Sequence, residues 1–336
     1  MKRRPFLAIA SLLLAAGAWD LRPQSSAEFL FAARRTEVGE VIDATTLATV
    51  ARVRFPFLVE RWSSTADGLR LEVMGHAAGA PCCQRYLLDP ATLRLEVAVS
   101  TTDRNNFGGC LTSPDGRWCF QMKSFQGPAL KTVDRRDPAN VHVLTPPGLP
   151  PENPEGNWAA TGTWSGSHFY LYVSRPNDPG FVWTVDPGDE ALGAGVRVQP
   201  FGEAPGCRER LPVSKSMVVA AGKIFLYEPF GGKTDRTGMC PAVSGGAWAL
   251  DPASGSMADP IAADFRFNRL IAGSSGATLY GVVPGTANWA GPVQLIRLNA
   301  QDGTVLAARI FEPGVLQIAA GPLAAVPSGE VAARLR

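Results

Sequence analysis

Apolar residues in this chain fall in short runs that stop at a reversal, and six of those runs stop in the same way. They are Glu40-Val-Ile-Asp-Ala-Thr-Thr-Leu47, Tyr86-Leu-Leu-Asp-Pro-Ala-Thr-Leu93, Lys131-Thr-Val-Asp-Arg-Arg-Asp137, Trp183-Thr-Val-Asp-Pro-Gly-Asp189, Trp248-Ala-Leu-Asp-Pro-Ala-Ser-Gly255 and Ile296-Arg-Leu-Asn-Ala-Gln-Asp-Gly303. The turns open at Asp43, Asp89, Asp134, Asp186, Asp251 and Asn299, spaced 46, 45, 52, 65 and 48 residues apart. A fixed theme at that period marks a radial or stacked β architecture, in which each unit buries its apolar face only against its neighbours.

Laid out strand by strand, the period holds four strands, A to D. In the third unit Cys110 to Gly116 gives strand A and its turn, Arg117 to Lys123 strand B, Ala129 to Asp134 strand C and Val141 to Leu144 strand D. Pro114 presets the turn, and Asp115-Gly116 supplies the conformations a reversal needs. The A-to-B turn recurs at 65–68, 164–167, 220–223, 274–277 and 327–330, and the B strands after it are aromatic and branched, as in Phe169-Tyr-Leu-Tyr-Val173 and Ile224-Phe-Leu-Tyr227. The ends are fragments of one unit: Glu28 to Ala33 reads as a B strand without its A strand, and 314–329 as an A strand without C and D. Joined, they close a ring and remove its exposed edges. The expected fold is all-β, a six-bladed β-propeller over residues 28–336, with seven blades as the alternative if 186–251 hides a degenerate unit.

Ser113-Pro-Asp-Gly-Arg-Trp118 and the Asp-Pro-Ala-Thr/Ser turns resemble the repeats of bacterial periplasmic β-propellers of the TolB-like and YVTN kinds, over about residues 28 to 330. Asn299 departs from the pattern's Asp. The resemblance implies the fold and an exported protein. It carries over no functional residue, because such repeats serve binding proteins, enzymes and assembly factors alike.

Composition agrees with many tight turns: Gly 35 and Pro 28 in 336 residues are spread between the apolar runs. Net charge +2 and 18% charged residues exclude a nucleic-acid footprint. Met1 to Ala18 places three basic residues before a largely apolar stretch ending Ala16-Gly17-Ala18, the form of a cleaved secretory signal peptide. It falls short of the roughly 20 apolar residues of a membrane span. Residues 19–27 then form a linker, and the mature protein is expected in the periplasm or secreted, with no stable span after cleavage. An even set of six cysteines fits that compartment.

Disulfide candidates are Cys207–Cys240, Cys110–Cys119 and the adjacent Cys82 and Cys83, which either bond each other or bond elsewhere. A two-residue turn pairs 113 with 116 and sets 110 opposite 119, where side chains approach closely. A bulge at Gly116 shifts that register. No C-x-x-C or His/carboxylate spacing marks a metal, and no metal site is expected.

In an up-and-down blade the A–B and C–D turns share one face and the B–C and D–A loops share the other. The former are short here. Long B–C loops are expected at 75–85, 174–180, 228–246 and 284–292, and long D–A loops at 101–109, 146–157 and 200–210. Length on one face points to a binding surface on a rigid scaffold. Its candidate residues are His76, Cys82, Cys83, Arg175, Asn177, Asp178, Lys233, Asp235, Arg236, Asn288 and Trp289, the last as a stacking platform with the polar residues around it. His168 reads as packed or turn-associated, and Gly231-Gly-Lys-Thr234 as a loop rather than a phosphate cradle.

The first functional reading is a monomeric scaffold that binds an envelope or extracellular protein, peptide or glycan, without catalytic residues or cofactor. The second, implied by resemblance to propeller enzymes, is a calcium-dependent lactonase-like hydrolase or a quinone-dependent dehydrogenase with its site at the channel mouth. The third is a purely structural envelope component.

Overall fold

The structure is a computed structural model that describes residues 28–64, 71–76, 84–89, 92–97, 110–123, 127–149, 158–175, 178–200, 216–230, 245–286, 289–322 and 329–335. The expected signal peptide and linker, together with Cys82, Cys83, Cys207, Cys240, Asn177, Lys233, Asp235, Arg236 and Asn288, lie outside the described residues.

Six antiparallel sheets succeed one another along the chain. Blade 1 takes β1 (Glu28–Ala33), β2 (Val38–Asp43) and β3 (Thr49–Arg54) as its B, C and D strands. Blade 2 is β4 (Leu58–Ser64), β5 (Leu71–His76), β6 (Gln84–Asp89) and β7 (Arg94–Val97). Blade 3 is β8 (Leu111–Thr112), β9 (Trp118–Lys123), β10 (Ala129–Asp134) and β11 (Asp137–Leu144). Blade 4 is β12 (Ala159–Ser165), β13 (His168–Arg175), β14 (Asp178–Val185) and β15 (Val196–Arg197). Blade 5 is β16 (Ser216–Ala220), β17 (Lys223–Tyr227), β18 (Ala247–Leu250) and β19 (Met257–Ile261). Blade 6 is β20 (Arg269–Ala272), β21 (Thr278–Pro284), β22 (Val293–Asn299) and β23 (Val305–Phe311). β24 (Gln317–Pro322) then returns as the A strand of blade 1. Six blades are therefore observed, and among the described residues of 186–251 the chain passes from blade 4 into blade 5 without an extra sheet.

The seam is an antiparallel pairing of β24 with β1 from Glu28↔Pro322 to Ala33↔Gln317. β1 is apolar on both faces for a reason. Phe29, Phe31 and Ala33 join the core shared with blade 2, and Leu30 and Ala32 join the core shared with blade 6. Burial in wedges between consecutive blades is the rule elsewhere too, between blades 3 and 4, 4 and 5, and 5 and 6. Polar ties cross the last interface: Arg309 of β23 donates to Glu40 Oε2 at 2.8 Å, to Thr49 Oγ1 at 2.8 Å and to the Leu47 carbonyl at 3.1 Å. Glu28 accepts from the Ser274 amide and from Tyr280 Oη of blade 6.

The repeated Asp or Asn closes the C–D turns. Its side chain accepts amides two or three residues on, as Asp43 does from Thr45 and Thr46, Asp251 from Ala253 and Asn299 from Gln301. Its carbonyl accepts from the fourth residue on, namely Leu47, Leu93, Gly255 and Gly303, all at positive φ. Glycine adopts that conformation without strain. In blades 1 and 2 the position is leucine, and burial of Leu47 and Leu93 in the cores offsets the strain.

Two expectations need correction. The reversal at 327–330 is not an A–B turn: Gly329 opens β25 (Gly329–Ala332), which lies parallel to β3 on the outer edge of blade 1, and β26 (Arg334–Leu335) lies parallel to β7 on blade 2. Between them Ala333 is buried in the core shared by those blades, with its amide on the Arg54 carbonyl at 2.8 Å. The Cys110–Cys119 bond is present, but in a different register. Thr112, not Cys110, is opposite Cys119, because Gly116 at φ 74° widens the turn and the Ser113 amide meets the Trp118 carbonyl. The shift is by two residues, so both cysteines keep one face and bond diagonally with Cα atoms 5.3 Å apart, within the preferred disulfide range of about 4.4–6.8 Å.

Replacing Cys110 and Cys119 by Ser should cost about 2–3 kcal/mol by the loop-closure estimate, measured by urea unfolding of the oxidised protein and the double variant. Glu40 lies half-buried, which raises its pKa, but hydrogen bonds from Thr49 and Arg309 and the charges of Arg309 and Arg52 outweigh this and hold it below its ordinary value. A depressed carboxylate adds stability above its unfolded pKa that is lost as pH falls through the folded one. Arg309→Ala should therefore cost about 2 kcal/mol at neutral pH, between the values for exposed and buried pairs. The difference in melting temperature from wild type should shrink as pH drops below Glu40's ordinary range.

Candidate functional site

The B–C and D–A connections share one face of the disc, opposite the C–D turns, and of the sequence candidates His76, Arg175, Asp178 and Trp289 fall among its described residues. In blade 4 the expected long loop at 174–180 is instead a tight hairpin, with Arg175 ending β13 and Asp178 opening β14. The Asp178 carboxylate explains the tightness. It accepts the Gly180 amide at 2.8 Å, faces Arg175 Nε at 3.8 Å and takes both terminal nitrogens of Arg197, at 3.2 and 3.4 Å. Gly180 stands at φ 86°, where a Cβ would meet the Val173 carbonyl at 2.2 Å, so any other residue would break the hairpin.

Arg175 is turned inward, its guanidinium 4.7 Å from the centre of the buried Trp158 ring. Neither it nor Asp178 surrounds Trp289, which belongs to blade 6. Trp289, at φ 62°, lies within the connection from β21 to β22, which Gly285 N to the Pro292 carbonyl and Gly291 N to Thr286 Oγ1 fasten, and it packs partly buried against the core between blades 1 and 6. The stacking platform expected there is thus in large part a packing residue. Other described tryptophans serve blade packing: Trp183 and Trp248 are buried, and Trp164 Nε1 donates across blades to the Leu111 carbonyl.

The outward residues on this face are ones the sequence did not single out. Arg197 is 52% exposed at its side chain and lies 4.8 Å over the Phe181 ring. In the next blade Arg266, also exposed, lies 5.6 Å over Phe230, whose backbone is held by the Phe267 carbonyl and Asn268 Nδ2. Both flank the long segments 198–215 and 228–246. No motif could have found them, since an arginine over a ring depends on strand register that period alone does not give. His76 ends β5 beside Gly75, whose hydrogen faces the Phe57 ring. Its Nδ1 is buried 3.7 Å from Glu60 Oε1, and Glu60 is paired at 2.8 Å with the exposed Arg35.

Among the described residues no group of three or more His, Cys, Asp or Glu side chains is placed to hold a metal ion. On the opposite face a shallow cleft of about 490 Å³ opens between blades 4 and 5, lined by Ser165, Tyr170, Lys223, Asp251 and Met257. Its carboxylate is committed to a turn: the Ser254 hydroxyl, then the Ala253 amide, hold Asp251 below the usual carboxylate range. His168 beside it is turn-associated, bonded to Asp186.

Comparisons with known proteins agree with the architecture. TolB from Acinetobacter baumannii superposes with a TM-score of 0.50 at 17% identity, over 88% of this chain and 67% of that one. A putative TolB from Agrobacterium tumefaciens gives 0.45 at 14%, over 91% and 94%, and apo AztD from Citrobacter koseri gives 0.40 at 14%, over 88% and 98%. No protein-family model and no curated protein sequence matches the chain. The chain is thus a six-bladed propeller with a TolB-like fold, and at these identities the likeness is one of fold.

Replacing Asp178 by Ala should cost about 2 kcal/mol, because the Gly180 amide and two guanidinium groups lose a shared acceptor. Asp178→Asn, which keeps an acceptor for Gly180, should recover part of it, as read from thermal melts.

Proposed function

We propose that the protein is an exported propeller scaffold that binds an envelope or extracellular protein, peptide or glycan through its B–C and D–A face. The observation that carries this reading is the pair of outward arginines seated on phenylalanine rings, Arg197 over Phe181 and Arg266 over Phe230, beside the two longest connections of that face. Arginine and aromatic side chains dominate binding hot spots, and a ring beneath a guanidinium fixes it; Phe230 does this for Arg266 without neutralising it, whereas Arg197 also shares its charge with Asp178. The arrangement favours a partner with acidic groups. Export is supported by the N-terminal signal pattern and by the Cys110–Cys119 bond, since such bonds persist in oxidising compartments.

The test is retention of a partner from envelope extract on the immobilised mature protein. An Arg197→Ala/Arg266→Ala variant, assayed well below a melting temperature lowered by loss of the Arg197–Asp178 pair, should weaken binding about tenfold or more, as loss of hot-spot residues does, and binding should fall with added salt. A partner held equally by wild type and variant would place the binding surface elsewhere.

A further inference from the structure

The two sulfurs of the Cys110–Cys119 bond have different surroundings. Arg135 Nη2 lies 3.7 Å from Cys110 Sγ, and Thr112 Oγ1 lies 3.4 Å from the same sulfur. A disulfide sulfur carries no hydrogen, so in both contacts it accepts. Among the described residues no donor reaches Cys119 Sγ. Both cysteines are half-buried rather than enclosed, and Arg135 is exposed.

Arg135 follows the turn-opening Asp134 directly. In the other five repeats that position is Ala44, Pro90, Pro187, Pro252 or Ala300, so the blade with the bond is also the one whose turn supplies a guanidinium there. The turn holds it in place, with the Arg135 amide on the Arg117 carbonyl at 2.8 Å. The hairpin that joins the cysteines is closed without them. Ser113 accepts the Trp118 amide on Oγ at 2.8 Å, gives its own amide to the Trp118 carbonyl at 2.9 Å and takes the Gly116 amide on its carbonyl at 2.9 Å. β8 keeps its ladder pairs, Leu111↔Phe120 and Thr112↔Cys119. Opening the S–S bond therefore leaves both sulfurs on one face of a standing hairpin.

We propose that Cys110–Cys119 is a thiol–disulfide exchange site, opened and closed in the folded protein by an external thiol, with Cys110 as the sulfur that leaves. A donor thiolate attacks Cys119 Sγ. The new S–S bond forms as Cys110–Cys119 breaks, and the electron pair departs on Cys110 as thiolate. A second donor thiolate then attacks the donor sulfur of that mixed disulfide and releases Cys119. Two donor thiols are oxidised to one disulfide, the two cysteines are reduced, and the two protons the donor gave up pass through solvent to the released cysteines. Closure is the reverse path. Exchange is fastest when the leaving sulfur is stable as a thiolate, which a neighbouring guanidinium provides. Arg135 and Thr112 provide it at Cys110 alone, and that asymmetry sets the direction of attack.

The test is equilibration of the mature protein with reduced and oxidised glutathione at neutral pH without denaturant, each cysteine being followed by iodoacetamide labelling and peptide mapping. Cys110 and Cys119 should become reducible together while the protein stays folded. Once reduced, Cys110 should label about fivefold faster than Cys119, the scale of one exposed charge about 4 Å away, and added salt should narrow the gap. Arg135→Gln, at an exposed position, should remove most of that difference and shift the glutathione equilibrium about fivefold toward the disulfide. Arg135→Lys, which keeps the charge, should restore most of both. Reduction only on global unfolding, equal labelling of the two cysteines, or an equilibrium unmoved by Arg135→Gln would overturn the proposal.

Discussion

Pairing between β24 and β1 turns six sheets into one ring, and the other features of the molecule depend on it. Each blade buries its faces only against its neighbours, so an open ring leaves two apolar faces in water. β1 sits where those faces meet, with its phenylalanines in one wedge and Leu30 in the other. Arg309, Glu40, Tyr280 and Glu28 fix the orientation of the same interface with charge-assisted bonds that dispersion alone does not supply. The tail then continues past the seam to lace blades 1 and 2 together from outside, with Ala333 as its buried stud.

How much of this was legible in the sequence follows from what local chemistry encodes. The turn motif was legible because one residue does two jobs in four residues' space: the Asp or Asn side chain and carbonyl both close the reversal, which enforces a repeated pattern. The seam was legible because Phe29 to Ala33 is apolar throughout, which only a strand buried on both faces tolerates. The parallel tail was not. Gly329-Glu-Val-Ala332 has the local chemistry of a turn followed by a strand, and its partner β3 lies far away in sequence. Register at Cys110–Cys119 was settled by one positive φ at Gly116, a choice between turn types that the residues Ser-Pro-Asp-Gly permit in either form.

The site divides in the same manner. That one face carries the long connections could be counted from the periodic turns, yet the hairpin at Arg175–Asp178 was read as a loop because Pro176, Asn177 and Gly180 are loop formers by composition. Their closure depends on Asp178 reaching Arg197 from the next strand, a tertiary contact. Arg197 and Arg266 acquire their meaning the same way, from rings brought beneath them by register. The scaffold thus fixes the described part of the B–C and D–A face, with the Arg197 and Arg266 guanidinium groups seated over their rings.

Native-state hydrogen exchange across the seam tests the account most directly. If the ring stands or falls as a unit on β24 and β1, the bonded amides of Leu30 to Ala32 and Ile318 to Ala320 open only with global unfolding, at the same free energy as those in the centre of β21 and β22. If the β24 amides exchange through a much cheaper local opening while β21 and β22 stay protected, the ring holds without its seam and the central claim is wrong.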